Sequence, residues 1–209
     1  MKSGLGILIC FSGVISAQTD DSELLSKNAH NITHAARSFG ISPRLLASIV
    51  YVEQTENVKP GEKFLDVVFA HSGYNASVGF AQMKVSTGAW LEVQIHSRSG
   101  DFYLGENKRV LISPSRDRDE LIRKLSADSV NLLYAAAYLA MIEKLWNNTL
   151  RAPWLQNSRI GILATLYSLG IVKPDGSLRM PHDHAAMSQF GRVAQAFFDS
   201  FMLREEFPE

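Results

Sequence analysis

Glu53 ends an apolar register. Leu46, Ile49, Val50 and Glu53 stand at i, i+3, i+4 and i+7, the spacing that lines side chains along one face of a helix. A carboxylate on such a stripe loses hydration, which favours its neutral form and raises its pKa. A carboxylic acid still protonated near neutral pH can hand a proton to a leaving oxygen. The plainer alternative is a Glu near a helix end that points into solvent.

Farther on, Ser77-Val78-Gly79-Phe80-Ala81-Gln82-Met83 puts a Gly where a backbone must turn sharply or approach a ligand. A short helical turn then presents Gln82 and Met83. On residue type alone, Ser77 reads equally as a helix cap and Gln82 as a surface residue. Glu56, Glu62 and Asp66 follow Glu53. Any of them could be a second carboxylate holding a water, although loop acids are usually just solvated. His182-Asp183-His184 and the pair His30 and His34 suggest a metal, yet no Cys or further clustered His completes a set. A cap between surface histidines, and a solvated helix face, are the readings preferred. Trp90, Trp146 and Trp154 each offer a flat ring able to cover a pyranose face or fill a core, and the sequence does not choose among them.

Together, the glutamate-bearing helix and the segment 77–83 resemble the bacterial lytic transglycosylases and goose-type lysozymes of the lysozyme-like superfamily. Their pattern is a catalytic Glu on a helix, then Ser-x-Gly-x-x-Gln-hydrophobic. Asn131-Leu132 followed by Tyr138-Leu139 looks like that family's Asn-Ile…Tyr-Leu helix. Leu163-Ala164-Thr165-Leu166-Tyr167-Ser168-Leu169-Gly170 looks like its Ala-rich segment ending in Tyr-Asn-x-Gly. The likeness spans about 41–170. Gln54 stands where many transglycosylases have Ser, Ser168 replaces the usual Asn, and Ala135 a usual Gly. The stretch between Glu53 and Ser77 is nearer the goose-type spacing.

The resemblance implies that Glu53 is general acid and then general base at the bond between N-acetylmuramic acid and N-acetylglucosamine. The sugar's own C6 hydroxyl would supply the nucleophile and close a 1,6-anhydro ring, so one essential carboxylate suffices; ordinary glycosidases use two. Tyr167 is implied beside Glu53, positioning or polarising it, with a core Tyr as the alternative. Ser77, Gln82 and Met83 are implied in substrate binding. No cofactor and no metal are implied. A hydrolytic goose-type lysozyme, a non-catalytic glycan-binding module of an envelope machine, and a structural helical domain with chance matches are the rival readings.

These residues need elements to hold them. Helices are predicted over 20–39, from Ser42-Pro43 to about 54, over 86–94, 117–125, 128–146, 158–169 and 184–203, with a short helical stretch at 80–84. Residues 57–75 read as loop around an apolar insert at 64–70. Residues 101–104 and 109–112 read as a small hairpin across 105–108. The fold class expected is mainly α, lysozyme-like, a single helical domain with a small β-hairpin and a substrate cleft.

At the start, Lys2 precedes an uncharged apolar run over 4–15, too short for a stable membrane anchor, and Ser16-Ala17 offers small residues for cleavage. Gly4, Gly6 and Gly13 weaken the rival reading as a core helix. We read 1–17 as a signal peptide and 18–209 as one transglycosylase domain, periplasmic or secreted after cleavage near Ala17. The single cysteine, Cys10, would leave with the signal, so the mature fold would rest on its core rather than on disulfides. About 190 residues suffice for one domain with a real core. The 21 basic and 21 acidic side chains balance, which argues against a nucleic-acid partner. Peptidoglycan strands are the expected partner, and no stable membrane span is expected.

Overall fold

The computed structural model describes residues 12–56, 62–97 and 100–209. Helix α1 (Ser12–Phe39) ends as the Ile41 amide donates back to the Ala36 carbonyl at 3.1 Å, a closure that satisfies an orphan carbonyl of the last turn. At the next residue the Ser42 hydroxyl accepts from the Leu45 amide at 3.1 Å, and Pro43 opens α2 (Pro43–Glu56). Its missing N–H has no helical partner to lose there. Next come α3 (Glu62–His71), then β1 (Ser77–Val78) and β2 (Met83–Lys84), paired antiparallel with Ser77 opposite Lys84 and Val78 opposite Met83. They are followed by α4 (Val85–His96), α5 (Glu106–Arg109), α6 (Arg118–Ser126), α7 (Asp128–Leu150), α8 (Pro153–Gln156), α9 (Arg159–Leu169), α10 (Gln189–Phe198) and α11 (Phe201–Glu206). The architecture is mainly helical.

Helix α7 is the axis. Residues 134–142 form an unbroken buried run, and α1, α4, α6 and α9 pack around it. Its alanines let neighbours approach, while Tyr134, Leu139, Ile142 and Trp146 fill the space between them. Each fully buried large apolar side chain contributes about 1.5–3 kcal/mol. Helix α9 is buried from Gly161 to Tyr167 and lies between α7 and α10. A Cβ on Gly161 would strike the Met187 sulfur, and one on Gly191 would strike the Gly161 carbonyl, so α9 and α10 meet backbone against backbone. Helix α2 is held between α1 and α10, which presses its apolar stripe inward.

Four local expectations are corrected. Residues 62–71 are helical rather than loop: a short apolar run carries no clear period, and here Val67 and Ala70 pack onto the core. Residues 80–84 are a turn leading into β2, not a helix. The hairpin expected at 101–112 does not form; Phe102 and Ile112 are buried anchors, and between them α5 turns with an Arg109–Glu106 ion pair at 2.6 Å. The β element is the pair β1–β2 instead. The helix expected over 184–203 starts at Gln189 and breaks at Asp199-Ser200. The hydroxyls of Ser188 and Ser200 accept from the Gly191 and Leu203 amides and start separate helices.

The expected signal segment lies outside the described residues over 1–11, and 12–17 form the first described part of α1. Among the described residues no single helix is long and apolar enough to cross a membrane. Helices α6 and α7 together pass on length and composition, but meet at 101°.

Candidate active site

Helix α2 carries Glu53 inward, leaving it 5% exposed. It lines a pocket of about 340 Å³ together with Asp66, Ser77, Gln82, Met83 and Tyr167. Lys84, Thr87, Tyr138, Ser168 and Gly170 complete the wall. Every site residue expected from the sequence therefore reaches one pocket, from α2, β1, the β1–β2 turn, β2 and α9. The solvent-facing alternative for Glu53 does not hold. Nor do the cap reading of Ser77, which sits in β1, and the surface reading of Gln82, which is 9% exposed.

The β1–β2 turn is held by side chains from three helices. Gln54 Nε2 of α2 donates to the Phe80 carbonyl at 2.6 Å, and the Tyr167 hydroxyl of α9 donates to the Ala81 carbonyl at 2.6 Å. Asn131 of α7, fully buried, accepts from the Ala81 amide at 2.7 Å and donates to the carbonyls of Val78 and Leu125 at 2.8 and 2.9 Å. Gly79 turns the chain at φ 81°, and a Cβ there would fall onto the Asn131 amide. Gln82 adopts φ 46°, a conformation that disfavours residues with a side chain. Its Nε2 donates to the Gly79 carbonyl at 3.1 Å, and such strain persists only where surroundings over-determine it. Gln54 and Asn131 were not among the expected site residues. Asn131 stands in a segment that matches the motif pattern and Gln54 at a departure from it, and what they touch is fixed only in three dimensions.

Tyr167 stands beside Glu53, as expected, but its proton goes to Ala81 rather than to the carboxylate. Its hydroxyl is held well above the ordinary tyrosine value, first by burial, then by the negative charge of Glu53 and by Tyr138. Tyr138 is pushed up to about 12 by burial and accepts from the Ile171 amide at 2.7 Å. Both phenols are therefore neutral donors or acceptors across the physiological range. The two rings lie 5.7 Å apart.

The other candidates separate. Asp66, half-buried on α3, faces the Glu53 pocket; the side chains of Glu56 and Glu62 lie outside the described residues. Trp90 lines the adjoining pocket, edge-on to Phe102 and Tyr138. Trp146 is buried in the core, while Trp154 is exposed. His30 and His34 are exposed on α1, and His182 packs edge-on against Trp146. Among the described residues no group of three or more His, Cys, Asp or Glu is arranged to hold a metal ion.

Glu92 is a second buried acid, at 8% exposure. It accepts from the Ser115 amide and hydroxyl at 2.8 and 2.6 Å and from the Tyr134 hydroxyl. Those bonds tie α4 to the loop before α6, away from the Glu53 pocket. Burial alone does not single out Glu53; burial at the wall of a polar pocket does. The chain matches no known protein-family model, no curated protein sequence and no solved structure.

Proposed function

We propose that the protein is an exported peptidoglycan-cleaving enzyme, a lytic transglycosylase of lysozyme-like fold, with the Glu53 pocket as its substrate cleft. One observation carries the reading: a carboxylate 5% exposed shares a pocket with Gln82 and Tyr167 in the motif order of that family. Glu53 donates its proton to the glycosidic oxygen as the bond from the muramic acid anomeric carbon breaks. The resulting carboxylate takes the proton of the C6 hydroxyl, whose oxygen attacks that carbon and closes the 1,6-anhydro ring. Glu53 ends protonated, ready for another turnover. The clamped turn keeps Gln82 and Met83 in place to orient the sugar, because misplacement by about 1 Å can cost on the order of a hundredfold in rate. No cofactor enters this chemistry.

Asp66 favours a second reading. A second carboxylate at the same pocket is placed to hold a water, and water in place of the C6 hydroxyl gives hydrolysis, as in the goose-type lysozymes. Mass spectrometry of muropeptides released by the wild-type protein decides: anhydro-muramyl ends support the transglycosylase and reducing ends the hydrolase. Glu53→Gln should abolish release of either product. Release that survives Glu53→Gln removes the proposed role of Glu53.

A further inference from the structure

The Glu53 pocket does not end at its own wall. Lys84, Thr87, Tyr138 and Gly170 are shared with a second pocket of about 380 Å³. That pocket in turn shares Leu169, Lys173 and Arg179 with a third of about 220 Å³. Charge is sorted along the run. Glu53 and Asp66 line only the first pocket, Lys84 stands at the joint, and Lys173 and Arg179 line the second and third, where no carboxylate contributes to the wall. Among the described residues no ion pair joins any of these three cations to a carboxylate. Net charge is zero, so this positive field comes from placement alone.

The cations are presented by a braced loop. Arg179 donates from its amide to the Ile171 carbonyl at 2.7 Å and from Nε to the Gly170 carbonyl at 2.8 Å, and its own carbonyl accepts from Trp146 Nε1 at 3.1 Å. The Lys173 amide donates to Ser177 at 2.8 Å. Asp175, the acid nearest Lys173 in sequence, spends its carboxylate on the Ser177 amide and hydroxyl at 2.9 and 2.7 Å. Asp175 feels the Lys173 charge as well, a smaller pull than its bonds to Ser177, while among the described residues no ion pair engages either Lys173 or Arg179. Cations gathered this way repel one another until an anion arrives, and the braced loop lowers the entropic cost of binding it.

Building on the glycan-cleavage reading, we infer that this basic arm binds the carboxylates of a short peptide carried by the glycan. The enzyme then selects peptide-bearing strands over neutral or stripped ones. A carboxylate on the sugar itself would sit next to the bond being cut, whereas Lys173 and Arg179 lie only in the arm beyond the Glu53 pocket. An anion reaching them has to extend from the sugar. Trp90 lines the same pocket as Lys173 and Arg179.

The test is calorimetric titration of the full chain carrying Glu53→Gln with three ligands: peptide-bearing glycan oligomers, the same oligomers stripped by an amidase, and neutral N-acetylglucosamine oligomers. Peptide-bearing glycan should bind about tenfold more tightly than the neutral oligomers, with a preference that shrinks as salt rises. Adding Lys173→Gln should cut that preference about threefold, and Lys173→Glu further. The salt dependence needs no loop variant, so it remains a readout even if one misfolds. A preference untouched by salt and by Lys173→Gln overturns the inference while leaving the cleavage reading intact. A preference kept in full by stripped glycan moves the charge to the sugar's own carboxylate and overturns the peptide assignment. Wild-type protein that cleaves none of the three glycans removes the cleavage reading instead.

Discussion

The Tyr167 hydroxyl donates to the Ala81 carbonyl at 2.6 Å across 86 residues of sequence. That bond ties a buried helix to the turn carrying Gln82, one residue past the acceptor. Tyr167→Phe keeps the ring and deletes the donor. It should cost about 1–3 kcal/mol, the range for leaving a buried polar group unmatched. Glycan cleavage should fall more than stability does, since Gln82 loses its brace. Thermal denaturation read beside muropeptide release checks this; unchanged release would make Tyr167 a packing residue only.

Asn131 makes three bonds to the same segment and to the end of α6. Asn131→Ala should be destabilising by about 2–4 kcal/mol, because it strands several buried backbone groups at once. Urea denaturation of the variant measures the loss, and a cost below about 1 kcal/mol would mean that water replaces the amide.

Gly79 cannot accept a methyl group. Its φ of 81° disfavours one, and the added carbon would meet the Leu125 carbonyl oxygen at 2.1 Å and the Asn131 amide nitrogen at 2.5 Å. Gly79→Ala is expected to lower the melting temperature at least as far as Asn131→Ala does. The double variant Gly79→Ala/Asn131→Ala should keep most of the Gly79→Ala cost, since the added carbon also meets the Leu125 carbonyl oxygen at 2.1 Å, a backbone atom that Asn131→Ala leaves in place.

Alkali should unfold the protein early. Tyr138 is held up to about 12 by burial, against about 10 in an unfolded chain. A folded pKa above the unfolded one means that the folded state holds its proton more tightly. The stabilisation is complete below pH 10 and is lost as pH rises from about 10 to about 12, up to roughly 2–3 kcal/mol from this group. Tyr134 and Tyr167 are shifted in the same direction. Unfolding free energies measured from pH 9 to pH 12 should fall steeply, and less steeply in Tyr138→Phe.

Asp66 separates the two chemistries proposed for the pocket. Asp66→Asn should leave anhydro product formation within about threefold if the C6 hydroxyl is the nucleophile. It should depress cleavage by about a hundredfold or more if Asp66 activates water, the usual range for loss of a general base. Kinetics on the same glycan substrate distinguish these outcomes.

Much of the helical plan could be read along the chain. The periodic stripe of α2, the Ser42-Pro43 start and the stop of α9 at Gly170 are local signals, and local signals survive folding. Residues 62–71 and 101–112 differ from their local expectation because short apolar runs carry no period of their own. Their conformation follows from what Val67, Ala70, Phe102 and Ile112 pack against. Ser188 and Ser200 split 184–203 because each hydroxyl accepts from an amide three residues on, a geometry that residue type alone does not decide.

At the pocket the division is similar. Residue type and order nominated Glu53, Ser77, Gln82, Met83 and Tyr167, because a buried acid and a glycine turn each need particular side chains. Only the tertiary fold decided that Gln54 and Asn131 hold the turn, that Asp66 joins Glu53 rather than open solvent, and that Trp90 rather than Trp154 faces the groove. It also decided that Lys84, Lys173 and Arg179 gather on one arm although the chain's charges cancel. Hydrogen bonds and fields depend on distance through space, and the chain separates these residues by far more than any local pattern spans.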